Sequence, residues 1–133
     1  MTRVLLVEDS PHDVRFVREA LAESGNIELD VVSNGSDVIP ALESGAGLPD
    51  LILLDLNLPG CRGEEVLRAI RARPNMRRVP VVILSSSRAP EDVRRCYEDH
   101  ANSYIVKPLE YDDFRNAILS LERFWFETAT LPS

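Results

Sequence analysis

The sequence has few cysteines and no long apolar run. Cys61 and Cys96 are the two cysteines among 133 residues, too few for a disulfide scaffold, and neither lies in a CxxC pair or beside a His cluster that would suggest zinc. No apolar run approaches the ~20 residues that a membrane span needs. The apolar stretch near the N-terminus meets Glu8 after four residues, too few for the core of a signal peptide. We therefore expect a cytoplasmic protein with reduced thiols and no membrane association.

Basic residues are outnumbered by acidic ones. The chain carries 15 Lys+Arg against 22 Asp+Glu, which gives a formal net charge of −7 with His neutral. Non-specific nucleic-acid binding needs a basic face that displaces counterions from phosphates, so this balance argues against it. Apolar residues make up 44% and charged residues 28%, a globular mixture. The length predicts a single domain over residues 1–133.

Short apolar runs predict the strands. Runs without polar alternation suit strands that are covered on both faces, as in a parallel sheet. They occupy residues 4–7, 51–54, 79–84 and 104–106, and a weaker, partly alternating run lies at residues 27–32.

Between these runs the apolar spacing is helical. The last segment shows it best, with Phe114, Ile118, Leu121 and Trp125 on one stripe. Pro40 falls inside the second helical segment, where it sits in the first turn or kinks the helix. A strand followed by a helix, repeated five times, predicts an α/β fold: a doubly wound parallel sheet with helices on both faces.

Polar residues directly follow the buried runs. Ligands of such sheets bind at the carboxyl ends of the strands, near the switch in strand order. Three carboxylates, one hydroxyl and one amine are expected there, from Glu8, Asp9, Asp55, Ser85 and Lys107. Clustered carboxylates repel unless a cation joins them, and hard oxygen ligands favour Mg²⁺. A carboxylate is also a nucleophile that forms acyl-phosphates, and a lysine stabilises the phosphoryl group in transfer.

Four motifs at these positions resemble the receiver domain of two-component response regulators. They are LLVEDS at 5–10, LLDLNLPG at 53–60, VILSS at 82–86 and YIVKPL at 104–109, and the likeness extends from residue 1 to about residue 121. The resemblance implies a flavodoxin-like (CheY-like) sheet of five strands in the order 2-1-3-4-5 with five helices. It also implies that Asp55 accepts a phosphoryl group from a sensor histidine kinase, so that the protein is a signalling phosphoprotein rather than an enzyme.

The resemblance assigns further roles. Mg²⁺ would be held by Glu8, Asp9, Asp55 and the backbone carbonyl of Asn57. Ser85 would be the switch hydroxyl, Ser86 would leave room for the phosphate, Lys107 would pair with it, and Tyr104 would be the aromatic switch. The Lys107–Pro108 bond is expected to be cis, which would aim the lysine into the site.

The C-terminal segment is similar to that of single-domain regulators paired with bacterial and cyanobacterial phytochromes. Residues 122–133 are expected to extend the last helix and to end in a tail. The similarity implies a phytochrome-type kinase as partner and a homodimer through the C-terminal region. Phe124, Trp125 and Phe126 are consecutive, so one helix cannot turn all three to its own core; with Leu131 they suggest a partner surface. The alternative is that these aromatic residues fold back on their own domain.

Two other functions stay open. A degenerate receiver would act as a protein-interaction module without phosphorylation. A flavodoxin-like cofactor binder would need a phosphate-cradling loop after the first strand, where this sequence has Glu8 and Asp9. The downstream protein is not identified, and His12, Cys61 and the arginine-rich loop at residues 71–78 receive no assigned role.

Overall fold

Residues 1–132 are described by a computed structural model, in which strands and helices alternate along the chain. The strands are β1 (Thr2–Val7), β2 (Ile27–Val32), β3 (Leu51–Leu54), β4 (Val81–Ser85) and β5 (Ser103–Val106). The helices are α1 (Pro11–Ala22), α2 (Val38–Leu42), α3 (Gly63–Ala72), α4 (Pro90–Glu98) and α5 (Tyr111–Arg123).

The five strands form one parallel sheet in the order β2-β1-β3-β4-β5. This confirms the expected doubly wound fold and its strand order. The chain winds first toward β2 and then, from β3 onward, in the opposite direction. The switch therefore lies between β1 and β3, whose last residues, Val7 and Leu54, are directly paired. The carboxyl ends of these two strands open the crevice in which such folds bind ligands.

Alternate strand residues face opposite layers of helices. On one face Leu5, Ile52 and Ile83 pack among residues of α2, α3 and α4. On the other face Leu6 and Leu53 pack among residues of α1 and α5. Burial on both faces explains why the strand sequences show little polar alternation.

Strand boundaries differ in detail from the sequence expectation, whereas Pro40 takes one of its two expected places. The fourth strand begins at Val81 rather than at residue 79, because the backbone N–H of Val79 bonds to the carbonyl of Met76 in a turn (3.0 Å). Pro40 is the third residue of the short helix α2, which follows a 3₁₀ turn over Gly35–Asp37. It therefore lies in the first turn, where its missing N–H costs no helical hydrogen bond.

The C-terminal segment continues from α5 as one wider, π-type turn over Phe124–Thr128. Within it Trp125 and Phe126 are half-buried against the core layer of α1 and α5, whereas Phe124 is 52% exposed. The alternative that the aromatic residues fold back on their own domain therefore holds for Trp125 and Phe126 but not for Phe124. Leu131 is half-buried, and Pro132 lines a shallow cavity with Leu48.

The expected cis bond before Pro108 is wrong: residues 1–132 contain no cis peptide bond. The trans bond suffices because the long Lys107 side chain reaches the carboxylates of the site without it. Across the described part of the chain no helix is both long and apolar enough to cross a membrane.

Candidate functional site

The sheet itself positions the candidate residues. Its hydrogen bonds continue one step beyond the strands, where Glu8 N–H bonds to the Val32 carbonyl (3.0 Å) and Asp55 N–H to the Val7 carbonyl (3.0 Å). In the same way Lys107 N–H bonds to the carbonyl of Ser85 (2.8 Å). Each side chain therefore starts from a backbone position that the sheet fixes, at one edge of the molecule.

Three acidic side chains meet at this edge. Glu8, Asp9 and Asp55 each offer one carboxylate oxygen, and these oxygens lie within 4.8 Å of one another. Glu8 and Asp55 are 1% and 5% exposed, whereas Asp9 is exposed. A cluster of hard oxygen donors with one open side suits a divalent cation that keeps part of its water shell. The residues present therefore fit a Mg²⁺-type ion.

Lys107 closes the cluster from the side of β5. Its ammonium nitrogen lies 2.5 Å from Glu8 Oε1, 2.9 Å from Asp13 Oδ2 and 3.3 Å from Asp55 Oδ2. The side chain is 9% exposed. An ammonium group has three N–H donors, so these three carboxylates take all of them.

Burial and charge shift the pKa values of the pair. Burial raises the pKa of Glu8 from 4.5 to about 7, and the hydrogen bond from Lys107 opposes this rise only in part. Burial by itself lowers the pKa of Lys107, but hydrogen bonds to Glu8 and Asp13 and the charge of Asp55 outweigh it and raise that pKa above its ordinary value. Lys107 is therefore a permanent cation in the site.

Asp55 has its two oxygens in different environments. Oδ1 accepts hydrogen bonds from the backbone N–H groups of Leu56 (2.7 Å) and Asn57 (3.4 Å), and Oδ2 faces Lys107. Backbone donors beside a carboxylate also stabilise negative charge that is added to it. Asn57 itself is exposed and lies in the loop after β3, beside the acidic cluster.

Close backbone packing holds that loop in place. A Cβ atom on Gly63, the first residue of α3, would lie 2.3 Å from the Asp55 carbonyl oxygen. The Gly63 N–H bonds to the Leu56 carbonyl (3.0 Å). A glycine at this position lets α3 begin directly beneath Asp55.

The β4–α4 side of the site carries the expected switch residues. Ser85 is fully buried at the end of β4, and its hydroxyl accepts a hydrogen bond from Ser87 N–H (3.3 Å); Ser86 is exposed. The half-buried Tyr104 donates its hydroxyl to the Ser87 carbonyl (2.9 Å). Burial raises the pKa of this phenol. Tyr104 thus contacts the loop that follows Ser85.

Sequence reasoning missed Asp13, which lies in the first turn of α1 and contacts Lys107. Its N–H is capped by the hydroxyl of Ser10 (3.3 Å), which fixes the turn beside the acidic cluster. The available signal was its place one turn into the helix that follows Glu8 and Asp9. The neighbouring His12 is exposed, and its ring contacts that of Phe16 at a tilt of 51°, with 4.3 Å between the ring centres.

Comparison with known proteins identifies the family. The sequence pattern of the response regulator receiver domain matches residues 4–119. The chain is 40% identical over 136 aligned positions to the response regulator Rcp1 of Synechocystis, covering 98% of this chain and 92% of that protein. This chain belongs to the response regulator receiver domain family.

Solved structures agree with this assignment. The phosphorylated cyanobacterial phytochrome response regulator RcpA superposes with a TM-score of 0.96 at 40% identity, covering 99% of both chains. The Mn²⁺-bound form of Rcp1 superposes with a TM-score of 0.95 at 40% identity over the whole of both chains. Relatives of this chain have thus been seen both with a phosphoryl group and with a divalent metal. The chain is a response regulator similar to those of cyanobacterial phytochromes.

Proposed function

We propose that Asp55 accepts a phosphoryl group from a sensor histidine kinase in a Mg²⁺-dependent reaction. The supporting observation is the grouping of Glu8, Asp9 and Asp55 within 4.8 Å, closed by the buried Lys107 ammonium. Carboxylates at this density need a cation, and the open side at Asp9 gives it access. The Asn57 carbonyl is the further oxygen ligand in this proposal.

The chemistry is a phosphoryl exchange between two residues. A carboxylate oxygen of Asp55 forms a bond to phosphorus as the bond between phosphorus and the imidazole nitrogen of the kinase breaks. That nitrogen keeps the electron pair, and because the other ring nitrogen of the phosphohistidine carries a proton, the histidine leaves as a neutral imidazole. Bound Mg²⁺ would neutralise charge on the phosphoryl oxygens. Lys107 supplies a second fixed cation, and the N–H groups of Leu56 and Asn57 flank the attacking carboxylate.

The signal would leave the site through the loop after β4. A phosphoryl group on Asp55 offers new acceptors to the Ser85 hydroxyl, beside the open position of Ser86. If the loop moves inward, the Ser87 carbonyl leaves the Tyr104 hydroxyl, a bond of 2.9 Å in this structure. Tyr104 then repacks, and the face of α4, β5 and α5 changes. The loop and Tyr104 would thus have two arrangements, and the charge of the phosphoryl group at Asp55 would shift the balance between them.

The partners follow from the same proposal. Rcp1 and RcpA are similar over nearly the whole chain, and RcpA is a phytochrome response regulator, so a phytochrome-type kinase is the proposed donor. Exposed Phe124 supports a homodimer through the C-terminal region. We propose that the protein acts in the cytoplasm as a phosphoacceptor rather than as an enzyme on an external substrate, without nucleic-acid or membrane partners.

Phosphoryl uptake by the isolated protein tests the proposal. The protein is incubated with acetyl phosphate and MgCl₂, and intact mass is measured by rapid mass spectrometry. We expect one added phosphoryl group in the wild type, none with a metal chelator and none in Asp55→Asn. Asp37→Asn, an exposed acid at the start of α2, is the matched control and should label normally. No uptake by the wild type would overturn the proposal and leave the phosphorylation-independent interaction module, whereas uptake by Asp55→Asn would move the acceptor elsewhere.

A further inference from the structure

One of the three carboxylates around Lys107 has no place in the acidic cluster. Glu8 and Asp55 belong to the group that could hold a metal ion, whereas Asp13 does not. Asp13 Oδ2 nevertheless lies closer to the Lys107 nitrogen (2.9 Å) than Asp55 Oδ2 does (3.3 Å). The lysine on which phosphoryl binding depends is thus shared with a carboxylate outside the metal cluster.

Asp13 is anchored independently of any ligand. It lies in the first turn of α1, where the helix dipole favours a carboxylate, and its N–H bonds to the Ser10 hydroxyl (3.3 Å). Glu8 and Asp55 have to redirect oxygens when a metal ion or a phosphoryl group enters. Asp13 lies outside the group that could hold a metal ion, so its contact with Lys107 does not have to change when such an ion enters.

We propose that Asp13 is a positioning residue that holds the Lys107 ammonium toward α1 and so weakens its grip on the phosphoryl group at Asp55. The inference deepens the proposed function and rests on it. A carboxylate competes with phosphoryl oxygens for the same N–H donors, because both are anionic acceptors of charge-assisted hydrogen bonds. The strength of this competition sets how tightly the phosphorylated state is held.

Beryllofluoride binding measures directly how strongly Lys107 holds a phosphoryl-like group at Asp55. This ion imitates a phosphoryl group on a carboxylate, and its affinity is measured by calorimetry at saturating Mg²⁺. We expect Asp13→Asn to bind it about tenfold more tightly, since one competing charge-assisted hydrogen bond is worth roughly a decade in an equilibrium constant. Asp112→Asn, an exposed acid in the first turn of α5, should match the wild type.

The dependence on Lys107 separates positioning from a general charge effect. Lys107→Met removes the shared cation, and in that background Asp13→Asn should no longer change the affinity. If Lys107→Met binds beryllofluoride too weakly, Mg²⁺ affinity is used instead. With Lys107 present, Asp13→Asn should weaken Mg²⁺ binding, because the freed lysine holds Glu8 and Asp55 more firmly; in the Lys107→Met background it should not.

The outcomes distinguish this inference from the proposed function. A wild type that binds neither Mg²⁺ nor beryllofluoride overturns the proposed function. A wild type that binds both, with Asp13→Asn equal or weaker for beryllofluoride, overturns only the role of Asp13. An equal gain in the Lys107→Met background, or an equal gain in Asp112→Asn, likewise rejects positioning through the lysine.

Discussion

Glu8 and Lys107 form a buried ion pair, with the lysine nitrogen 2.5 Å from Glu8 Oε1. The two residues follow β1 and β5, which two other strands separate in the sheet. The side chain of Lys107 therefore spans the carboxyl edge of the sheet. Glu8 also belongs to the acidic cluster, so a cation that enters the cluster competes with this ion pair. The protonation and pairing of Glu8 therefore depend on what the site holds.

The stability of the metal-free protein should depend on pH through Glu8. Its pKa is raised from 4.5 to about 7 in the folded state, chiefly by burial. Between these values the folded protein retains a proton that the unfolded chain releases. The stabilising contribution is thus present below pH 4.5 and lost as the pH rises toward 7.

We expect that loss to be on the order of 1–3 kcal/mol in the free energy of unfolding. Urea denaturation with a chelator, at pH 5 and pH 7.5, measures it in the wild type and in Glu8→Gln. Other acids titrate in both proteins, so the informative quantity is the difference between them. Parallel pH profiles would contradict the assignment of this titration to Glu8.

Gly63 should tolerate no side chain. A Cβ there would lie 2.3 Å from the Asp55 carbonyl oxygen and 2.6 Å from the Leu56 Cα, and backbone atoms cannot yield as a flexible side chain does. We expect Gly63→Ala to lower the free energy of unfolding by about 1–3 kcal/mol, in the range of overpacked positions, and to reduce phosphoryl uptake by displacing Asp55.

Gly25→Ala is the matched control for this substitution. Gly25 has a φ of +68° but nothing within 4 Å of the added Cβ. It should therefore cost only about 1 kcal/mol from backbone strain, and uptake should be unchanged. Equal effects of the two substitutions on stability and uptake would show that the close approach at Gly63 is not what matters.

The sequence predicted the acidic edge because its signals were local. Asp55 ends an unbroken buried run, and the parallel sheet makes the ends of such runs neighbours. Asp13 was missed because its contact depends on the reach of one long side chain from a strand 94 residues away. The half-burial of Trp125 agrees with its place on the predicted apolar stripe, but the widened turn over Phe124–Thr128 was not predicted, since it leaves no periodic signal.

Tyr104→Phe tests the contact between the switch residue and its loop. The substitution removes the hydrogen bond from the hydroxyl to the Ser87 carbonyl while the ring remains. We expect a loss of about 1 kcal/mol in the free energy of unfolding and faster amide exchange in residues 86–89. Tyr111→Phe is the control, because that exposed hydroxyl has only a long contact with Glu19 (3.4 Å). Unchanged exchange in Tyr104→Phe would mean that the bond does not restrain the loop.

Substitutions of Phe124 and Trp125 should have different effects, the first on self-association and the second on the stability of the fold. The two rings contact each other edge to face at 5.3 Å, yet Trp125 packs on the core layer of α1 and α5 whereas Phe124 is 52% exposed. We expect Trp125→Ala to lower the free energy of unfolding by about 2 kcal/mol, since it removes a half-buried aromatic side chain. Phe124→Ala should leave that free energy of the monomer nearly unchanged.

Light scattering on a size-exclusion column, with and without beryllofluoride and Mg²⁺, then measures the solution mass of each variant. If the exposed ring serves a homodimer, Phe124→Ala shifts the wild-type dimer toward the monomer while the circular dichroism spectrum stays the same. A wild type that is monomeric under both conditions would remove the dimer from the proposal. A variant that dimerises as strongly as the wild type would place the interface away from Phe124, because an aromatic side chain at the centre of an interface rarely contributes nothing.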